Sequence, residues 1–266
     1  MKNTLNTLGW IGLFAGLIVV LGFVESTRLA QSCKAVTVHI DQNDENFFIE
    51  NKDILSMLPF DLELTDSFPV EQIDVKRIEH HITNHPAISK AEVYLSIDGK
   101  LHISVTQRKP IARIFSGNKE SYYLDKDGYL MPTSQKFTSR VMVISGHINE
   151  PYTKWYRHRF TPGSLPDSVQ QKTYLDDLFQ LADFIQKNSF WRAQIEHINV
   201  NKDLEVELIP RVGSHTIVLG EIVDIQEKFD KLMRFYLEGL DKTGWNEYEV
   251  INLKFENQVV CSKRYN

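Results

Sequence analysis

Three histidines, His80, His81 and His85, crowd one short stretch, and His81 and His85 stand four apart. On a helix that spacing gives a metal two ligands on one face. No Asp, Glu or Cys converges on them by spacing and H-E-x-x-H is absent, so a solvated helix face is the favoured reading. Asp125-x-Asp127-Gly128 opens like a calcium loop, but the distal Glu is missing, and a hairpin turn accounts for the same residues. Arg157-His158-Arg159, beside Trp155 and Tyr156, has the chemistry to touch an anionic glycan or lipid headgroup. Packing of a loop whose basic side chains snorkel over rings explains it more simply. No Gly-rich phosphate loop, nucleophile elbow or paired-carboxylate signature appears. Catalytic, cofactor-binding and metal-binding residues are therefore not expected, and the protein reads as a non-enzyme.

One apolar stretch explains where such a protein works. Leu8 to Val24 is 17 residues without a charge. A bilayer core needs about 20 apolar residues, with roughly 17 as the lower limit. Trp10 lies near one end, where its ring suits the headgroup zone, and Gly12 and Gly16 form a G-x-x-x-G through which another helix could approach. The expected layout is a tail 1–7, a transmembrane helix 8–24, a linker 25–34 and a body beyond. A cleaved signal peptide is the rival reading, but Glu25-Ser-Thr-Arg28 offers no small-x-small cleavage site. A lipoprotein signal ending at Cys33 would want a large aliphatic residue where Ala30 stands. The positive-inside rule favours a cytoplasmic N-terminus.

Composition narrows the partners. The formal net charge is -5, with charges of both signs interspersed and no long basic run, so nucleic-acid binding has no electrostatic footprint. The two cysteines, Cys33 and Cys261, lie at opposite ends of the body and read as free or buried thiols.

The body reads as α+β. Ala35 to Ile40 alternates and is β-branched, as a strand should be. Asn51 to Leu58 reads as a short helix, and Val75 to Asn84 as a second one capped by Asp74, with Ile78 and Ile82 on one face. Two alternating runs, Ala91 to Ile97 and Lys100 to Val105, flank Asp98-Gly99 as a hairpin. The order over Ala35 to Thr106 is strand, helix, helix, strand, strand.

Beyond it, Tyr122 to Pro132 reads as another hairpin around Asp125 to Gly128, and Val141 to Ile144 as a strand. Pro151 to Pro166 reads as a long surface loop and Ser168 to Asn188 as a helix with Tyr174, Leu178, Leu181 and Ile185 at helical spacing. Strands follow at Ile195 to Val200, Leu204 to Ile209 and Thr216 to Leu219. A helix then spans Ile225 to Leu240, with Phe229, Leu232, Met233, Tyr236 and Leu240 inward. Val250 to Phe255 and Gln258 to Ser262 close the chain as strands. The second half is expected to be a mostly antiparallel sheet with helices on one side.

These residues resemble the bacterial cell-division family FtsQ/DivIB. Strand-helix-helix-strand-strand after an anchor is similar to that family's POTRA domain. Ile88-Ser-Lys-Ala-Glu-Val-Tyr94 and Val105-Thr-Gln-Arg-Lys-Pro-Ile-Ala112 resemble its signatures there. Tyr123-Leu-Asp-x-Asp-Gly128, Ile217-x-Leu-Gly220, Glu227-Lys-Phe229 and Val250-Ile-Asn-Leu-Lys-Phe255 resemble its β domain.

The resemblance implies a POTRA domain at 35–107 and an FtsQ-type β domain at 108–266. It implies a single-pass protein of the inner membrane at the division site, its body periplasmic, acting as a non-catalytic scaffold of the divisome. The implied partners are the FtsB and FtsL homologues and other divisome proteins, with no nucleic acid and no small-molecule substrate. The family's last strand offers an edge to which FtsB adds a strand. Here that is Phe255 to Lys263, and the implied binding residues are Phe255, Asn257, Val259, Val260, Cys261, Ser262 and Lys263. In an alternating strand Phe255, Asn257, Val259, Cys261 and Lys263 would share one face. Asn252 stands where the family has an acid, and Lys263 where an aromatic anchor is often found.

A POTRA-bearing secretion or membrane-assembly factor is the alternative. Such proteins usually continue into a β-barrel, and no series of amphipathic strands of barrel length is present. An anchored wall hydrolase would need a convergent His, Asp, Cys or Ser set that the sequence does not show.

Overall fold

A computed structural model describes residues 10–22, 32–41, 47–59, 69–160 and 173–264. Residues 10–22 form helix α1, whose apolar side chains are exposed. Among the described residues no helix is long and apolar enough to cross a membrane. The ends of the expected span (Leu8, Gly9, Phe23 and Val24), the tail 1–7 and linker residues 25–31 lie outside the described residues. The chain divides into two compact units, Met1–Gln107 and Arg108–Asn266.

The first unit runs β1 (Ala35–Asp41), α2 (Asn51–Ser56), a 3-10 turn (Val70–Gln72), α3 (Val75–Thr83), β2 (Ile88–Leu95) and β3 (Lys100–Gln107). β3 lies in the middle of a three-stranded sheet, parallel to β1 and antiparallel to β2. Alternation buries Leu101, Ile103 and Val105 of β3 with Ala91 and Val93 of β2, and Ile78 and Ile82 of α3 are buried with them. The Asp74 carboxylate accepts from the Arg77 amide at 3.0 Å, satisfying a donor that the first turn of α3 would otherwise orphan. Gly99 closes the β2–β3 turn at φ +84°, a conformation glycine adopts without a Cβ penalty.

The second unit is one nine-stranded sheet with helices. Its strands are β4 (Pro110–Phe115), β5 (Ser121–Asp125), β6 (Leu130–Pro132), β7 (Met142–Gly146), β8 (Ile195–Val200), β9 (Val206–Pro210), β10 (Thr216–Gly220), β11 (Tyr248–Asn252) and β12 (Val260–Lys263). The spatial order is β12-β11-β10-β9-β8-β7-β4-β5-β6. The sheet is mixed: five of its eight pairings are antiparallel, in line with the expected mostly antiparallel sheet, but β4 with β7, β7 with β8, and β10 with β11 pair in parallel. Parallel neighbours need a long crossover. The stretch carrying α5 (Tyr174–Lys187) and α6 (Ser189–Gln194) connects β7 to β8, and α7 (Ile225–Arg234) begins the crossover from β10 to β11.

Helix residues Leu178, Leu181, Ile185, Trp191, Phe229, Leu232 and Tyr236 form one buried core with Ile144, Ile198, Leu208 and Ile217 of the sheet. Thr173 caps α5 in a box with Asp176, whose carboxylate accepts from the Thr173 amide at 3.1 Å. The expected start of this helix, 168–172, lies outside the described residues.

Two expectations about regularity give way to packing. The single helix Ile225 to Leu240 changes to a π-helix at Phe235–Leu240, followed by a short turn, α8 (Asp241–Thr243). The Phe235 ring lies against Gly239, where an added Cβ would sit 2.8 Å from it. The supposed surface loop from Pro151 begins with a helical turn, α4 (Tyr152–Trp155), and includes the fully buried Phe160. The Phe160 amide donates to the Gly128 carbonyl at 2.7 Å, so the segment is docked on the β5–β6 turn. Its remainder, 161–166, lies outside the described residues.

Candidate partner-binding edge

β12 is an edge strand: it pairs with β11 on one side and has no neighbour on the other among the described residues. Val250 faces Ser262 and Asn252 faces Val260 across the antiparallel ladder. The Arg264 amide bonds the Glu247 carbonyl at 3.0 Å, and the Leu253 amide turns the other way, to Val218 of β10, at 2.9 Å. Backbone groups alternate along a strand. Val260, Ser262 and Arg264 therefore bond inward, and the N–H and C=O of Cys261 and Lys263 point away from the sheet. Unpaired groups of this kind are what a partner strand needs.

The strand is shorter than its sequence implied. Phe255, Asn257 and Val259 precede it in an irregular turn, with Asn257 at φ +55°, so they cannot share one strand face with Cys261 and Lys263. The lead-in explains the break. Ile251 and Leu253 are fully buried, and the Asn252 side chain accepts from the Lys254 amide at 3.0 Å, turning the chain out of β11. Lys231 of α7 then holds the turn by donating to the Phe255 carbonyl at 2.9 Å.

Val259 and Cys261 are half-buried against the core, while Val260, Ser262 and Lys263 are exposed, with Phe255 and Asn257 exposed in the turn. The outward display of the strand is therefore Val260, Ser262 and the Lys263 side chain, which pairs with Glu247 at 3.2 Å. A cleft of about 450 Å3 lies alongside, between Phe235, Gly239 and Lys242 on the helical side and Gln258 and Val259 on the strand side.

The other candidate residues separate. His80 and His81 are exposed on α3, but the helix ends at Thr83, so His85 is not on the same helical face as His81. His85 is half-buried instead, its Nδ1 accepting from the Ala87 amide at 3.3 Å, and burial pulls its pKa down. No group of three or more His, Cys, Asp or Glu able to hold a metal occurs among the described residues.

Asp125 serves the hairpin. Its Oδ1 accepts from the Asp127 and Tyr129 amides at 2.9 and 2.7 Å, and its Oδ2 from Arg108 at 2.9 Å, while the Asp125 side chain itself is fully buried. Burial raises its pKa, against the pull of those donors. The basic-aromatic run is also absorbed in packing: Arg157 lies over the Tyr156 ring, and Arg159 donates to the Asp127 carbonyl at 3.1 Å. Cys33 and Cys261 are both free thiols.

Three polar features escaped sequence reasoning. Lys228 is buried, donating to the Leu219 and Glu221 carbonyls at 3.0 and 2.8 Å. Its position three after Ile225 and four before Leu232 sets a lysine on the apolar face of α7, which is the signal that could have revealed it. Ser145 Oγ and His197 Nε2 lie 2.8 Å apart on adjacent strands. Cross-strand neighbours of this kind have no linear signature. His215 is buried, its Nε2 3.0 Å from the Tyr236 hydroxyl and its Nδ1 without a partner among the described residues.

Comparison with known proteins bears on both units. A model described as a POTRA-like domain matches residues 31–106. No curated protein gives a significant match. A model described as FtsQ/DivIB, C-terminal related, matches residues 109–262. That match spans 154 of the 266 residues, and the chain belongs to the FtsQ/DivIB, C-terminal related family, with a POTRA-like domain ahead of the matched region.

Proposed function

We propose that this protein is a non-catalytic scaffold of the bacterial divisome, held in the cell envelope by its N-terminal apolar segment. Its extracytoplasmic body binds the FtsB homologue, and with it FtsL, by accepting a strand at β12. The observation that carries the reading is the free edge of β12, with the Cys261 and Lys263 backbone groups turned outward at the end of a nine-stranded sheet. The family match supports the cell-division context, and domains of these two kinds are typically non-catalytic.

An added strand would pair with Cys261 and Lys263 through its main chain and meet Val260 and Ser262 with its side chains. Flanking residues of the partner would reach the cleft beside Phe235 and Val259. Lys231, Arg234 and Lys242 outnumber Glu238 there, which suits acidic partner side chains. Among the described parts of the anchor, α1 presents Gly12 and Gly16 with nothing within 4 Å, so a second helix can approach them closely.

The test compares Lys263→Pro with Lys263→Ala in the full chain, titrated with the extracytoplasmic part of the FtsB homologue from the same genome. Both variants lose the lysine side chain, and only proline removes the outward N–H, at an edge where proline is otherwise tolerated. One backbone hydrogen bond is worth about 1 kcal/mol, so the proline variant should bind roughly fivefold to tenfold more weakly than the alanine variant. Equal affinities of the two variants would contradict strand addition. Absence of binding by a well-folded wild type would remove the FtsB assignment altogether.

A further inference from the structure

A second cleft, of about 490 Å3, opens at the end of the large sheet where β7 and β8 begin, and Arg140, Arg192 and Arg211 all line it. Topology explains the convergence of residues so far apart in sequence. β7 and β8 are parallel, so their starts lie side by side, and Arg140 and Arg192 come just before those starts. β9 runs antiparallel to β8, so Arg211, directly after β9, returns to the same end. The floor is apolar, formed by Met142, Ile185 and Ile195.

The charges in this cleft are unbalanced. Among the described residues the only carboxylate lining it is Glu196, 3.7 Å from Arg211, and both side chains are more than half exposed. A pair of that kind contributes at most about 1 kcal/mol. Arg140 and Arg192 have no acceptor among the described residues. His197, also in the lining, is half-buried with its pKa lowered by burial, so it adds no charge at neutral pH. Three guanidinium groups against one carboxylate leave a net of +2 in a protein whose net charge is -5.

The cleft beside Lys228, at the other end of β9, shows the opposite arrangement. There Lys228 holds two carbonyls, Lys231 pairs with Glu227 and Lys254 pairs with Glu205. The Lys228 cleft shows that cations lining a cleft of this sheet can be fully partnered, as Arg140 and Arg192 are not.

We infer that the arginine cleft is a binding site for a phosphoryl dianion, such as a phosphomonoester or diphosphate group. The planar fork of arginine matches the oxygens of a phosphoryl group and binds them in charge-assisted pairs. A charge of about -2 on such a group balances the local excess. The apolar floor accepts a hydrocarbon part of the same ligand, and the group is supplied either by a lipid headgroup or by a soluble phosphate. This inference is independent of strand addition at β12.

The test titrates the full chain, in neutral detergent micelles at physiological ionic strength, with inorganic pyrophosphate and separately with short-chain phosphatidic acid. Wild type is compared with Arg140→Gln/Arg192→Gln and with Lys76→Gln/Lys202→Gln, which removes the same charge from exposed positions elsewhere. Circular dichroism verifies the fold of each. Saturable binding is expected for at least one ligand, weakened roughly tenfold or more in the arginine variant and little changed in the lysine variant. Binding of phosphatidic acid alone assigns the lipid source, and binding of pyrophosphate the soluble one. No saturable binding of either ligand by wild type, or equal loss in both variants, overturns the site.

Discussion

Replacing Lys228 by Met tests whether the buried amine holds the exit of β10 to α7. Met keeps most of the apolar stem and so isolates the ammonium. Two hydrogen bonds are lost, to the Leu219 and Glu221 carbonyls. Bonds to a charged donor contribute about 1.5–3 kcal/mol each, but the variant also escapes the desolvation that lowers the Lys228 pKa. The Glu221 carbonyl lies nearer the surface and can rehydrate, so the uncompensated loss is mainly the buried Leu219 carbonyl. A net destabilisation of about 2 kcal/mol follows. For a unit of this size that lowers the melting temperature by roughly 4–8 °C. Tryptophan fluorescence is the assay, because Trp155, Trp191 and Trp245 all lie in the second unit. Amide exchange over Leu219 to Glu221 should quicken in parallel. A melting temperature within a degree of wild type would refute the reasoning and leave Lys228 a packing stem only.

Three further outcomes follow from the same geometry. Gly128→Ala should destabilise the second unit by about 3 kcal/mol, since φ is +81° and the new Cβ would sit 1.9 Å from the Phe160 carbonyl oxygen; faster tryptic cleavage after Arg157 and Arg159 is the readout. Asp125→Asn should remove about 3 kcal/mol in urea denaturation, because Arg108 is left charged and mostly buried with no carboxylate to face. Stability of the second unit should fall with pH as His215 and His197 begin to charge. Both have folded-state pKa values lowered by burial, so the unfolded chain takes up protons first, the contribution is complete above about pH 6.5, and it is lost as pH falls through the folded values. His215→Phe should flatten that slope in urea titrations between neutral and acidic pH.

The local elements of both units were legible because hydrophobic periodicity and turn chemistry are local signals. Asp98-Gly99 and Asp125 to Gly128 each specify a hairpin within a few residues, and Ile78 with Ile82 fixes the inner face of α3. What the sequence concealed depends on contacts between distant segments. The parallel pairing of β4 with β7 and β7 with β8 is a matter of topology, and neither strand's composition distinguishes it from an antiparallel neighbour. Phe160 sits in an arginine-rich stretch that looks like surface, and its burial comes from the core it joins and the Trp155 and His158 rings against it, with Gly128 leaving room for its backbone.

The candidate edge was partly legible. The last strand and its position after Ile251-Asn-Leu-Lys-Phe255 were readable, but its true start was not. Alternation through Phe255, Asn257 and Val259 mimics a strand, whereas Asn257 adopts positive φ and breaks it. The arginine cleft has no sequence signature at all, since its three cations come from segments that meet only in the fold.

Hydrogen exchange at the Cys261 and Lys263 amides, before and after adding the extracytoplasmic part of the FtsB homologue, tests strand addition most directly. Strand addition predicts that both amides exchange readily in the free protein and become protected in the complex, while the inward amides of Val260 and Ser262 change far less. Binding that leaves Cys261 and Lys263 exchanging as in the free protein would place the partner elsewhere and contradict the proposed role of β12.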